Sequence, residues 1–188
     1  MKHTVREELH GILVFLGAIW AVFLLDLLVP LDFNHLGLVP RTLRGLLGIL
    51  TMPFLHANLN HLISNTIPLF VLRSLLAGSK ARSWKTVAEI ILLSGVLLWI
   101  FGRPAVHVGA SGLIFGLAAF LVVSGFLEKR LLSLAIAILI VFLYGGSLLS
   151  GILPRVGSTV SWDGHLMGAV AGGIVAYGLT KEPGRRER

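Results

Sequence analysis

The sequence predicts an all-α, polytopic membrane protein: a bundle of six transmembrane helices with a long, membrane-associated first loop. Composition, apolar run lengths and the placement of basic residues carry this prediction. Of 188 residues, 55% are hydrophobic and 13% charged, and the mean hydropathy is +0.88, which is the balance of an integral membrane protein. A helix needs about 20 apolar residues to cross the hydrocarbon. Residues 11–31, 58–77, 86–101, 109–127, 131–152 and 163–180 approach or meet that length. No Pro/Ser-rich or highly charged linker divides these runs, so residues 1–188 read as one domain.

The first run, Gly11 to Leu31, is longer than a signal core and lacks a small-residue cleavage site, so it reads as a retained span. The first loop, residues 32–57, is long, fairly apolar and punctuated by Gly37, Pro40, Gly45, Gly48 and Pro53. Loops of this length in a compact domain are often functional. Its stretch Leu43 to Leu50 is too short to span and is expected to lie in the outer interface beside the bundle. The second run opens on a polar cluster, His56, Asn58, Asn60, His61, Ser64 and Asn65. The third, 86–101, is the shortest, and its Glu89 stands one turn from Lys85, which predicts a carboxylate snorkelling to the inner interface. The fourth opens at Gly109, the fifth follows Lys129 and Arg130, and the sixth opens at Gly164-His165.

Six spans put both termini on one side. Lys2, Arg6, Arg73, Lys80, Arg82, Lys85, Lys129, Arg130, Lys181, Arg185, Arg186 and Arg188 fall on that side, against Arg41, Arg44, Arg103 and Arg155 on the other. The positive-inside rule then predicts cytoplasmic termini. The net charge of +7 is read as membrane-flanking charge, because the basic residues lie at the ends of apolar runs without interleaved stacking aromatics; no nucleic-acid partner is expected. With no cysteine, disulfides, thiolate metal sites and cysteine nucleophiles are excluded.

In this topology the second, fourth and sixth spans all begin at the outer face. His61, Ser111 and His165, 50 and 54 residues apart in sequence, lie near those beginnings and therefore share one depth. Ionisable groups at membrane depth are costly and mark function by default. Gly109-Ala110-Ser111-Gly112 joins an outer loop to a helix start, whose unpaired N–H groups suit an oxyanion. Taken alone, Gly109, Gly112 and Gly116 read sooner as a small-residue packing face, with Ser111 bonding a backbone carbonyl. His165 precedes Gly168 and Gly172, a GxxxG face that would bring it close to a neighbouring helix; if that neighbour is the fourth span, the imidazole reaches Ser111. Alone, His165 is equally an interhelical hydrogen-bonding group. His61 and Asn65, an i,i+4 pair, share a helix face and both donate hydrogen bonds, although polar glue between helices explains them as well.

His56, His61, His107 and His165 all fall toward the outer side, yet no HExxH helix is present and outer carboxylates are few, chiefly Asp32 and Asp163. A metal site fits less well than a serine hydrolase. Asp163, two residues before His165 on a helix, points to another face, which favours a Ser–His dyad over a triad. Asp26 and Glu89 stand at opposite membrane sides and make a poor proton pathway.

With these residues assembled, the chain resembles the rhomboid family of intramembrane serine proteases in its minimal six-span bacterial form. The resemblance rests on His56-Ala57-Asn58-Leu59-Asn60-His61 with Asn65, on Gly109-Ala110-Ser111-Gly112, and on Gly164-His165 with Gly168 and Gly172, in that order. It implies Ser111 as nucleophile, His165 as general base, and His61, Asn65 and the Ser111 backbone N–H as oxyanion donors. It further implies that His56 organises the first loop and a watery cavity, and that Phe115 replaces a tyrosine that many members stack on the base histidine. The first loop lacks the family's Trp-Arg pair, offering Arg41 and Arg44 instead. The implied substrate is a transmembrane protein within the lipid bilayer, cleaved near its outer end without any cofactor or metal. A small transporter or channel would instead line the full membrane thickness with polar groups, and a catalytically inactive rhomboid-like binder would normally lose Ser111 or His165. Oligomeric state is left open by the sequence.

Overall fold

The computed structural model describes residues 4–79, 83–154 and 160–181. Among them are seven α-helices: α1 (Val5–Leu28), α2 (Leu43–Thr51), α3 (Leu59–Ser79), α4 (Ser83–Phe101), α5 (Ser111–Leu127), α6 (Leu131–Ile152) and α7 (Trp162–Lys181). Two 3-10 turns, Phe33–Leu36 and Met52–Phe54, flank α2. The described residues form no strand, only an isolated antiparallel bridge between Leu38 and His107. The predicted all-helical architecture is therefore observed. By length and composition α1, α4 and α6 can each cross a membrane, and the α2–α3 stretch, bent by 72°, makes a fourth candidate. Helix α5 is apolar but has only 17 residues. Helix α7 carries Asp163, His165 and five glycines, which dilute its hydropathy. Lys2, Lys80, Arg82, Arg155, Arg185, Arg186 and Arg188 of the charge pattern lie outside the described residues.

Local chemistry explains the helix ends. Thr4 and Glu7 form a reciprocal capping box that starts α1 at Val5, six residues before the apolar run begins. Asn58 Oδ1 accepts from His61 N at 2.9 Å at the start of α3. Helix α4 extends back to Ser83 and so has 19 residues. The shortest long helix is therefore α5, not the third span as the apolar runs suggested. Gly109, at φ 109°, is in a left-handed conformation that no helix continues, so α5 starts only at Ser111.

Helix α5 is the axis of the core. Most residues from Gly112 to Gly125 are buried, against α3, α4, α6 and α7, with Ala119, Val122 and Val123 a half-buried stripe, as a helix apolar nearly all round requires. Its closest partner is α7: a Cβ on Gly168 would strike the Gly112 carbonyl oxygen, and one on Gly172 the Gly116 carbonyl oxygen. The two backbones touch one turn apart, twice, which only glycine permits. Helix α1 packs on α3 through Ile12, Leu16, Ile19 and Phe23. Helix α6 buries only Ala137 and Ile140 fully and leaves Phe142 84% exposed.

Arg73 departs from its reading as a membrane-flanking charge. It is 2% exposed, pairs with Glu8 at 2.9 Å and lies 4.1 Å over the Trp84 ring, while Ser83 Oγ donates to Glu8 at 2.8 Å. The cluster ties α1, α3 and α4 together at one end, and a charge so desolvated persists because it is paired. Lys85 and Glu89 do meet, at 3.3 Å and partly exposed. Asp26 accepts from Phe33 N at 2.6 Å and from Asn34 Nδ2 at 3.4 Å, so it fixes the exit of α1 into the first loop.

The first loop is docked on the bundle. Arg41, at φ 58°, donates through Nη1 to the Ile100 and Gly102 carbonyls at 2.9 and 2.8 Å. Trp99 Nε1 donates to Thr42 O at 2.9 Å, and Leu38 and His107 exchange two backbone bonds at 3.0 and 2.8 Å. Helix α2 buries Gly45, Gly48 and Ile49 and turns Leu43, Leu46, Leu47 and Leu50 outward.

Candidate active site

Ser111 is the first residue of α5, preceded by Ala110, which gives the helix no side-chain cap. The amide N–H groups of the first turn are therefore without a capping side chain, beside the Ser111 hydroxyl. Gly109 N donates to Met52 O at 2.9 Å, pinning this turn to the end of the first loop. Against Gly109 lies His61: a Cβ at position 109 would come within 2.6 Å of the imidazole Cε1 and Nε2, and 3.6 Å from Asn65 Nδ2. Position 109 thus needs glycine twice, for its dihedral and for the ring beside it. Asn65 is 4% exposed and spends one amide proton on His61 O at 2.9 Å.

Behind His61 is His56, with ring centroids 5.0 Å apart and tilted by 60°. His56 is 2% exposed and neither ring nitrogen has a hydrogen-bond partner. Burial, followed by the neighbouring His61, lowers its pKa to about 4, so it is neutral at physiological pH.

His165 sits one turn into α7. Its Nδ1 lies 3.0 Å from the Gly151 carbonyl oxygen on α6. A carbonyl only accepts, so the neutral ring carries its proton on Nδ1 and leaves Nε2 as a bare acceptor. The ring stacks on Phe115 with centroids 4.1 Å apart and planes 10° apart. Phe115 is one turn after Ser111, so the imidazole lies against the opening turn of α5. The helix register agrees, since a Cβ on Gly112 would meet Gly164 O at 3.5 Å, which makes the chain neighbours of Ser111 and His165 adjacent.

The structure therefore brings Ser111, His165, Phe115, Gly112 and Gly168 together at the α5–α7 contact, with His61, Asn65, Gly109 and His56 on the flank facing α3. Asp163 is engaged elsewhere than with His165: it accepts from Arg103 N at 2.8 Å and pairs with Arg103 Nη2 at 3.1 Å. Gly151 was missed by sequence reasoning. A Cβ there would meet Phe115 Cζ at 2.5 Å and His165 Nδ1 at 3.2 Å, so its bareness is what admits the stacked pair. Among the described residues, no group of three His, Asp or Glu is arranged to hold a metal ion.

Comparison with known proteins identifies the family. The family described as Rhomboid domain matches residues 44–182. An uncharacterised protein of Mycobacterium bovis is 43% identical over 187 residues, covering 94% of this chain and 77% of that protein. One of Mycobacterium leprae is 41% identical, covering 94% of this chain and 73% of that protein. Rhomboid-like protein 11, chloroplastic, of Arabidopsis thaliana is 30% identical over 154 residues, covering 71% of this chain and 52% of that protein. Taken with the helical bundle and the motifs it positions, the match over residues 44–182 places this chain in the rhomboid family.

Proposed function

We propose that this protein is an intramembrane serine endopeptidase that cleaves transmembrane-helix substrates near their outer ends through a Ser111–His165 dyad. In this reading α1, α3, α4, α5, α6 and α7 are six spans, both termini are cytoplasmic, and the site opens toward the outer face of a bacterial plasma membrane. The observation that carries the reading is the fixing of His165: Nδ1 on the Gly151 carbonyl and the ring flat on Phe115, with Nε2 left to serve a nucleophile. Family membership supports the same chemistry.

The steps follow from these groups. Serine is a poor nucleophile at its own pKa. His165 Nε2 takes the Ser111 Oγ proton as Oγ attacks the scissile carbonyl carbon, and the resulting oxyanion faces Ser111 N–H, His61 and the second amide proton of Asn65. The imidazolium then protonates the leaving amine, whose C–N bond breaks to give the acyl-enzyme. Water, deprotonated by His165, releases the acid and restores Ser111. The 17 residues of α5 extend about 26 Å at about 1.5 Å per residue, short of the roughly 30 Å of hydrocarbon. The helix start, and Ser111 with it, is thereby sunk below the membrane surface, where a substrate helix arrives laterally and must unwind to present its backbone.

Covalent labelling by a serine-directed fluorophosphonate tests the proposal. Wild-type protein should be labelled, Ser111→Ala not at all, and Ser111→Ala and His165→Ala should both lose cleavage of a reporter transmembrane substrate. Wild-type activity in either variant rejects the dyad.

A further inference from the structure

We propose that Arg103, His107, Ser161 and Asp163 form a positioning latch that sets His165 against Ser111. This inference rests on the reading of those two residues as base and nucleophile. The four residues touch neither one by side chain. They join the loop that delivers Ser111 to the start of the helix that delivers His165.

The link between the two segments is polar and largely buried. His107 is 2% exposed and Asp163 3%. His107 Nδ1 lies 2.7 Å from Ser161 Oγ, and its Nε2 lies 3.1 Å from Arg103 O. Asp163 accepts from Arg103 through both backbone N, at 2.8 Å, and Nη2, at 3.1 Å. The Arg103 guanidinium also lies 5.2 Å from the centroid of the Trp162 ring. On the α7 side, Gly164 N donates to Ser161 Oγ at 3.2 Å and His165 N to Ser161 O at 3.0 Å. Ser161 therefore caps the helix turn that holds His165. On the other side, the His107 backbone is clamped to Leu38 of the first loop.

Sequence spacing gives the latch its leverage. His107 stands four residues before Ser111, and Ser161 four residues before His165. The His107–Ser161 hydrogen bond thus fixes the two short arms on which nucleophile and base are carried. Backbone contact along α5 and α7 fixes how close the helices lie, but it leaves the loop before Ser111 unconstrained relative to α7. The latch supplies that constraint. A shift of about 1 Å between reacting groups is enough to cost about 100-fold in rate.

Proton placement shows how the cluster is satisfied. The Arg103 carbonyl accepts, so His107 Nε2 carries a proton and lies 3.8 Å from Asp163 Oδ2 as well, while Ser161 Oγ, with its single proton, bridges His107 Nδ1 and the Asp163 carboxylate. The Asp163 carboxylate is then held chiefly by Arg103, with Ser161 Oγ 3.3 Å from its Oδ1. Asp163 serves the loop rather than His165, which is why its position two residues before the base does not make it a triad acid.

The test uses the full-length chain in liposomes, following kcat and KM on a reporter transmembrane substrate, the rate of fluorophosphonate labelling, and thermal unfolding. Ser161→Ala leaves the Arg103–Asp163 pair in place and is the least disruptive variant. It should lower kcat and the labelling rate about 10- to 100-fold, with KM and the unfolding temperature near wild type, and Ser161→Thr should restore both rates. His107→Gln should act in the same direction. Should His107→Gln fail to fold, Ser161→Ala decides alone. If wild-type protein labels at Ser111 and Ser161→Ala labels equally fast, the latch is overturned and the dyad stands. If kcat falls only together with unfolding, and Ser161→Thr does not restore it, the residues are structural and the latch is again overturned. If wild-type protein does not label at Ser111, the dyad fails and the latch with it.

Discussion

Two residues beside the proposed dyad give sharp expectations. Asn65 has one amide proton committed to His61 O, so its second is the one available to a developing oxyanion. Removing one such donor costs about 2.7–4 kcal/mol in comparable chemistry; Asn65→Ala should therefore cut kcat about 100- to 1,000-fold while fluorophosphonate still labels Ser111, and an unchanged kcat removes Asn65 from the site. Gly151→Ala places a methyl against the Phe115–His165 stack, 2.5 Å from Phe115 Cζ. It should abolish most cleavage and leave the helical circular dichroism spectrum intact, whereas full activity would show that the stack moves freely. The polar members of the site were legible in the sequence because each interrupts an apolar run. Gly151 was not, because it is one of 22 glycines and its contribution is the absence of a side chain.

The contact between α5 and α7 separates packing glycines from incidental ones. A Cβ on Gly172 collides with the Gly116 carbonyl, while one on Gly173 has only Val123 Cγ2 at 4.0 Å. Gly172→Ala should lower stability by about 1–3 kcal/mol or more through overpacking, and Gly173→Ala should leave it nearly unchanged, as thermal unfolding in detergent would register. Equal effects from the two would mean that the helices part without cost. The apolar runs located every long helix to within three residues at each end, save the capped start of α1, because hydrophobicity is local. The relative lengths of α4 and α5 escaped them, because the φ of Gly109 and the helical use of Ser83 depend on neighbours distant in sequence. For the same reason the docking of the first loop was not legible: Leu38 and His107 bond through backbone atoms that no residue type announces.

Across the whole molecule, burial is uneven. The burial of Arg73 was not legible from its place in the charge pattern, because sequence charge says nothing of Glu8, 65 positions away, which holds it inside. That cluster braces α1, α3 and α4 at one end, and α5 and α7 are joined backbone to backbone, whereas α6 buries two residues fully. Regions with few buried contacts open at lowest cost. Because the chain has no cysteine, spin labels can be placed at will; a pair at Ile67 and Phe142, spanning α3 and α6, should show a broader distance distribution than a pair at Ile67 and Ile100, spanning α3 and α4. Equal widths would contradict the uneven bracing. The glycine contacts between α5 and α7 thus have a mechanical meaning beyond proximity. They seat Ser111 and His165 on one joined pair of helices, so that in the proposed reading a sway of the sparsely buried α6 would reach the base through the Gly151 carbonyl that holds its Nδ1.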